Sequence, residues 1–124
     1  MTMYFDSKTL TAILSDAATE ERAAAAIAGT RKRFTSPLAV AGTILGLKDK
    51  GLEPAELEVH VLNYLKLAEI ELRDMPPSQR LIEAATKAVM KGGGELQAVL
   101  EDACAAYYEV ERFSLDAPAP DQPA

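Results

Sequence analysis

Thr2-Met3-Tyr4-Phe5-Asp6 runs directly into Ser7-Lys8-Thr9-Leu10-Thr11-Ala12-Ile13-Leu14, and this junction decides the fold. Four residues of strand character deliver a carboxylate to a strand-to-helix turn. In α/β proteins the chemistry usually sits there, at the carboxyl ends of parallel strands. Asp6 can equally be a helix cap, because its side-chain oxygen can accept a bond from an amide of the first turn. Caps are far commoner than active sites, so the residue taken alone favours the cap.

Outward from this junction the chain alternates short strands with pairs of helices. Ser15-Asp16-Ala17-Ala18 breaks the first helix, and Thr19-Glu20-Glu21-Arg22 opens a second with acids where the helix dipole favours them. Gly29 ends it, and Arg33-Phe34-Thr35 can form a brief second strand. Ser36-Pro37 supplies an N-cap and a proline at the first helical position, starting a helix that runs to about Lys50. Gly42 and Gly46 lie four apart inside it. Each costs about 1 kcal/mol relative to alanine, so that face is expected to admit a close neighbour.

Gly51 stops this helix and Pro54 opens the next, where Leu57, Val61, Leu65 and Ala68 share one face. Ile70-Glu71-Leu72-Arg73 alternates as a third strand. After Met75-Pro76-Pro77-Ser78, a helical stripe of Leu81, Ala85 and Val89, widened by Ile82, leads to Lys91-Gly92-Gly93-Gly94. That glycine run lacks the lysine-serine or lysine-threonine ending of a phosphate-binding loop. The final helix has Leu96, Val99, Leu100, Ala103, Ala106, Tyr107 and Val110 as its expected core side, with Asp102 off the stripe beside Glu101. Residues 1–113 form the expected domain, and residues 114–124 read as a disordered tail of proline, alanine and aspartate.

Strands separated by helical crossovers imply an α/β fold, with a short parallel sheet flanked by helices on both faces. Met3–Phe5 is expected as the central strand, between parallel strands near Phe34 and Ile70–Leu72. A length of 124 residues suits one domain that needs no disulfide or metal to hold its core. Cys104 is the only cysteine and cannot form an internal disulfide. No apolar run is long enough for a membrane span and no secretory signal is visible, so a cytoplasmic protein without membrane contact is expected. The net charge of −6 argues against a non-specific nucleic-acid coat. Arg31-Lys32-Arg33 is the only basic cluster, either a solvated loop or a local RNA contact. His60, the only histidine, has no paired cysteine or carboxylate cluster and reads as structural or exposed.

Three strings carry a resemblance. The first is Tyr4-Phe5-Asp6-Ser7-Lys8-Thr9-Leu10-Thr11-Ala12-Ile13-Leu14. The second is Thr35-Ser36-Pro37-Leu38-Ala39-Val40 followed by Ile44-Leu45-Gly46-Leu47, and the third is Leu100-Glu101-Asp102-Ala103-Cys104-Ala105-Ala106-Tyr107. With the element order, they resemble the PIN-domain family, and within it the VapC-type toxins of bacterial toxin–antitoxin pairs, over nearly the whole chain to Phe113. The resemblance implies a three-layer α/β fold and a carboxylate cluster that holds Mg2+ or Mn2+ for RNA cleavage. It also implies a small antitoxin partner and a homodimer. A hard divalent cation needs oxygen ligands, and once held it polarises phosphate and generates hydroxide. Asp6 matches the first acid and Asp102 the third, the residues carried over as catalytic and metal-binding.

Three departures accompany the match. Gly42 stands where the second acid is expected, Lys8 stands where a serine or threonine usually follows the first acid, and the fold is truncated at its C-terminus. Asp116, in the tail, is a poor substitute for a fourth acid. Glu101 and Glu95 are the remaining acids that could join Asp6 and Asp102. Lys8 could place an ammonium between the two carboxylates, or point into solvent. Two functions follow from the resemblance: a PIN-like interaction module with a degraded metal site, or an active Mg2+-dependent endoribonuclease toxin neutralised by an antitoxin. An unrelated small helical regulator is a third.

Overall fold

The computed structural model describes residues 2–115. Their order is β1 (Thr2–Tyr4), α1 (Ser7–Ser15), α2 (Ala17–Ile27), β2 (Lys32–Thr35), α3 (Pro37–Gly46), α4 (Pro54–Leu67), β3 (Glu71–Leu72), α5 (Ser78–Met90), α6 (Leu96–Tyr108) and β4 (Glu111–Arg112). The four strands make one all-parallel sheet in the order β3-β2-β1-β4. The fold is therefore α/β, with β1 central.

One of its neighbours differs from the sequence expectation. β1 pairs with β2 on one side, Tyr4 opposite Phe34, but its other neighbour is β4, with Tyr4 opposite Arg112. The strand at Glu71–Leu72 lies outside β2, at the sheet edge. The sheet thus has a fourth strand, of two charged residues, that the sequence expectation lacked. Glu109 aims it: in the left-handed region at φ 60°, it turns the chain out of α6 straight into Val110 and β4. Behind β4, Phe113 stacks on Phe5 at 4.5 Å and donates its amide to the Tyr4 carbonyl. Leu115 also packs against the core, so the chain stays attached beyond the expected boundary at residue 113. Residues 116–124, with Asp116 and the rest of the expected tail, lie outside the described residues.

Tyr4, Phe5, Leu10, Ile13, Val61 and Cys104 are fully enclosed and anchor the core. On α4, Leu57, Val61 and Leu65 are buried as the spacing predicts. The glycine face of α3 is used within the chain. A Cβ on Gly42 would lie 2.7 Å from Ser7 Cβ, and one on Gly46 would lie 2.9 Å from the Thr11 side chain. The missing side chains therefore let α1 and α3 pack closely.

Two apolar stripes do not behave as read. On α6 the buried residues are Glu101, Cys104 and Ala105, while Leu96 and Tyr107 are largely exposed. α5 packs against α6 yet buries no residue fully, leaving Ile82, Val89 and Met90 in solvent. The Arg31-Lys32-Arg33 cluster is also divided. Arg33 turns inward and donates to the carbonyls of Ile27, Thr30 and Ala68, tying the end of α2 to the end of α4. Arg31 and Lys32 remain exposed.

Candidate functional site

The carboxyl end of β1 gathers the charged and polar residues. Asp6 leaves the strand in extended conformation and caps α1, its Oδ1 accepting from the Thr9 amide at 2.7 Å. The cap reading is therefore right, but it uses only one oxygen. Oδ2 accepts from Arg112 Nη2, and the same guanidinium donates through Nη1 to Asp102 Oδ1. One arginine thus joins the two acids that the sequence singled out. Its central carbon lies over the Tyr4 ring, 5.8 Å from the ring centroid.

The two carboxylates are not equivalent. The Asp6 side chain is 12% exposed and that of Asp102 is 70% exposed, so the arginine holds one buried and one solvated partner. Burial raises the Asp6 pKa, but the bonds from Arg112 and Thr9 outweigh it and hold the carboxyl below its ordinary value. Burial likewise pulls on Arg112 in the direction of neutrality, and Asp6, Asp102 and Glu101 more than restore its charge.

Beneath this surface lies a second, enclosed cluster. Glu101 is 2% exposed and acts purely as an acceptor. Its Oε1 receives Tyr4 Oη and the Ser7 amide, both at 2.9 Å. Its Oε2 receives Ser7 Oγ and, at 3.1 Å, Gln97 Nε2. Because Tyr4 spends its only proton on Glu101, Ser36 must donate to Tyr4 across their 2.8 Å contact. A buried carboxylate is tolerable only when its lone pairs are satisfied in this way. The same enclosure pushes the Tyr4 phenol and the Cys104 thiol upward in pKa.

Gly42 faces this cluster. Its missing side chain leaves room that Gln97 fills, with Nε2 2.7 Å from where a Cβ would stand, bonded to the Leu38 carbonyl and to Glu101. The residues as arranged do not fit a magnesium or manganese ion between Asp6 and Asp102. A guanidinium already occupies the space between the acids and bonds to both, and the neighbouring position offers an amide where a ligand oxygen would be needed. Among the described residues, no group of three or more histidine, cysteine, aspartate or glutamate side chains is placed to hold a metal.

Lys8 does not bridge the acids. It is exposed and forms no ion pair among the described residues, and Arg112 does what was expected of it. Glu95 and His60 lie exposed on α6's N-terminal side and on α4. Sequence reasoning missed Arg112, Tyr4, Ser7 and Gln97. Gln97 and Glu101, four apart on a helix, were the one readable signal. No protein-family model matches the chain, and no curated protein matches it.

Proposed function

We propose that the chain is a PIN-like domain of the VapC type in which Arg112 has taken the place of the catalytic cation, so that a three-layer nuclease fold serves as an interaction module. The observation that carries this reading is the single guanidinium donating to both Asp6 and Asp102. The filled space beside Gly42 supports it, because a second acid there would collide with Ser7 and Gln97. On this reading the chain works in the cytoplasm as a homodimer or bound to a small antitoxin-like protein, and cleaves no RNA.

The test is direct. Purified chain incubated with single-stranded RNA and magnesium or manganese is expected to cleave no more than a chelator-treated control. Calorimetry is expected to show no magnesium binding that Asp6→Ala removes. Robust cleavage abolished by both Asp6→Ala and chelator would overturn the reading. It would favour the alternative, an Mg2+-dependent endoribonuclease neutralised by its antitoxin, which the approach of Asp6 to Asp102 through a shared partner supports.

A further inference from the structure

The surface between α5 and α6 is a groove of about 450 Å³ that opens to solvent beside Asp102. Its apolar lining is mostly small: Ala84 and Ala88 from α5, and Val99, Ala103, Ala106 and Tyr107 from α6. Short side chains on both walls let another backbone approach closely. Its charged lining is dominated by Arg80, Lys87 and Lys91, spaced seven and then four residues apart and so on one side of α5. Lys87 and Lys91 form no ion pair among the described residues, and Arg80 lies over the Tyr107 ring. From Arg80 to Lys91 the helix advances ~16 Å, the length of three helical turns. Three cations along one wall are conspicuous in a chain of net charge −6.

We propose that this groove binds an acidic amphipathic helix of a partner protein. Apolar residues on one face of that helix would seat on the alanines, and carboxylates beside them would meet Arg80, Lys87 and Lys91. The mode is helix-in-groove recognition, with apolar anchors at spacings of three, four and seven. Charge complementarity selects the partner's sign and steers its approach. A nucleic-acid strand fits less well. Glu83 and Asp102 break the basic lining, and the lining's one aromatic ring, Tyr107, is already paired with Arg80. The proposal rests on the interaction-module reading and supplies the partner's chemistry.

The probe is a labelled helical peptide of about 14 residues, with leucines at positions 1, 4, 8 and 11 and glutamates flanking them. Its control carries lysines in place of the glutamates. Fluorescence anisotropy with the full chain is expected to show the acidic peptide binding at least ten times tighter than the basic one, with affinity falling as salt rises. The double variant Lys87→Glu/Lys91→Glu should weaken binding at least tenfold, while Lys48→Glu/Lys66→Glu, an equal charge change elsewhere, should leave it unaltered. Ala88→Phe, which fills the groove, should also weaken it, and circular dichroism of each variant checks folding.

Equal binding of the two peptides, or binding indifferent to Lys87→Glu/Lys91→Glu, would overturn the proposal. Preference for an RNA oligonucleotide over the acidic peptide, lost in Lys87→Glu/Lys91→Glu, would reassign the groove to nucleic acid. A concentration-dependent dimer abolished by the same variant would reassign it to a second copy. Nuclease activity in the assay above would instead refute the interaction-module reading, separately from any of these results.

Discussion

Replacing Arg112 with alanine tests the centre of the site. The substitution removes a charge-assisted bond to the enclosed Asp6 carboxylate, a contact to the solvated Asp102, and a cation lying over Tyr4. A hydrogen bond to a buried charged group contributes about 2 kcal/mol, whereas an ion pair as exposed as that with Asp102 contributes about 0.5 kcal/mol or less. The ring contact contributes about 0.5 kcal/mol. The expected loss at pH 7 is about 3 kcal/mol, which in a domain of this size lowers the melting temperature by about 10 °C.

The pH dependence separates this cause from mere loss of packing. The folded-state pKa of Asp6 lies below its unfolded value. Its contribution is therefore fully present above the unfolded value of about 3.9 and is lost as pH falls through the folded one. Urea denaturation followed by circular dichroism should show a gap between parent and Arg112→Ala that is constant from pH 8 to about pH 5 and narrows below about pH 4 toward the small contribution of the Tyr4 contact. A double-mutant cycle with Asp6→Asn should give a coupling of about 2 kcal/mol. A gap below about 0.5 kcal/mol at neutral pH, or one that persists undiminished in acid, would refute the reasoning.

Glu101→Gln should cost about 3 kcal/mol, because in either orientation the new amide turns hydrogens toward a donor, the Gln97 side-chain amide on one side or the Ser7 backbone amide on the other; a urea midpoint equal to the parent's would contradict the network. Gly42→Glu should destabilise by about 2 kcal/mol or more through collision with Ser7 and Gln97, and a variant as stable as the parent that also gained magnesium binding would show that the space is easily vacated. Lys8→Ser should change stability by less than about 0.5 kcal/mol and leave magnesium affinity unaltered, checked by calorimetry, since the lysine is exposed. In absorbance titration at 295 nm, Tyr4, Tyr64 and Tyr108 should stay protonated past the usual phenol range, Tyr108 at about 12, because burial disfavours their phenolates. Titration of Tyr4, Tyr64 and Tyr108 in the usual phenol range near pH 10 would count against this burial.

The strand-to-helix junction at Asp6, the cap at Ser36-Pro37 and the buried face of α4 were legible because each is a local signal with a local cause. β4 was not, since Glu111 and Arg112 carry no apolar alternation, and they become a strand only because β1 offers an unpaired edge. The face of α6 was misread for the opposite reason. Amphipathic reasoning puts apolar residues inward, but here a glutamate is inward, made tolerable by donors from α1 and β1 that are remote in sequence. The site shows the same division. Asp6 and Asp102 were readable as acids, whereas the cation between them was sought two residues from Asp6 and lies on another strand.

The pairing of β1 with β4 also governs when the molecule can finish folding. Asp6 and Arg112 are separated by 106 positions, and Phe113 closes over Phe5 only one residue later. A growing polypeptide therefore carries Asp6 without its cation until almost all of the described chain has been made. Closing so long a loop is slow, because its entropy cost comes before the contacts that reward it. Chains halted short of Arg112 would leave one side of β1 unpaired and Asp6 uncompensated, a state prone to capture by other strands. Completion of the site therefore waits on the arrival of β4.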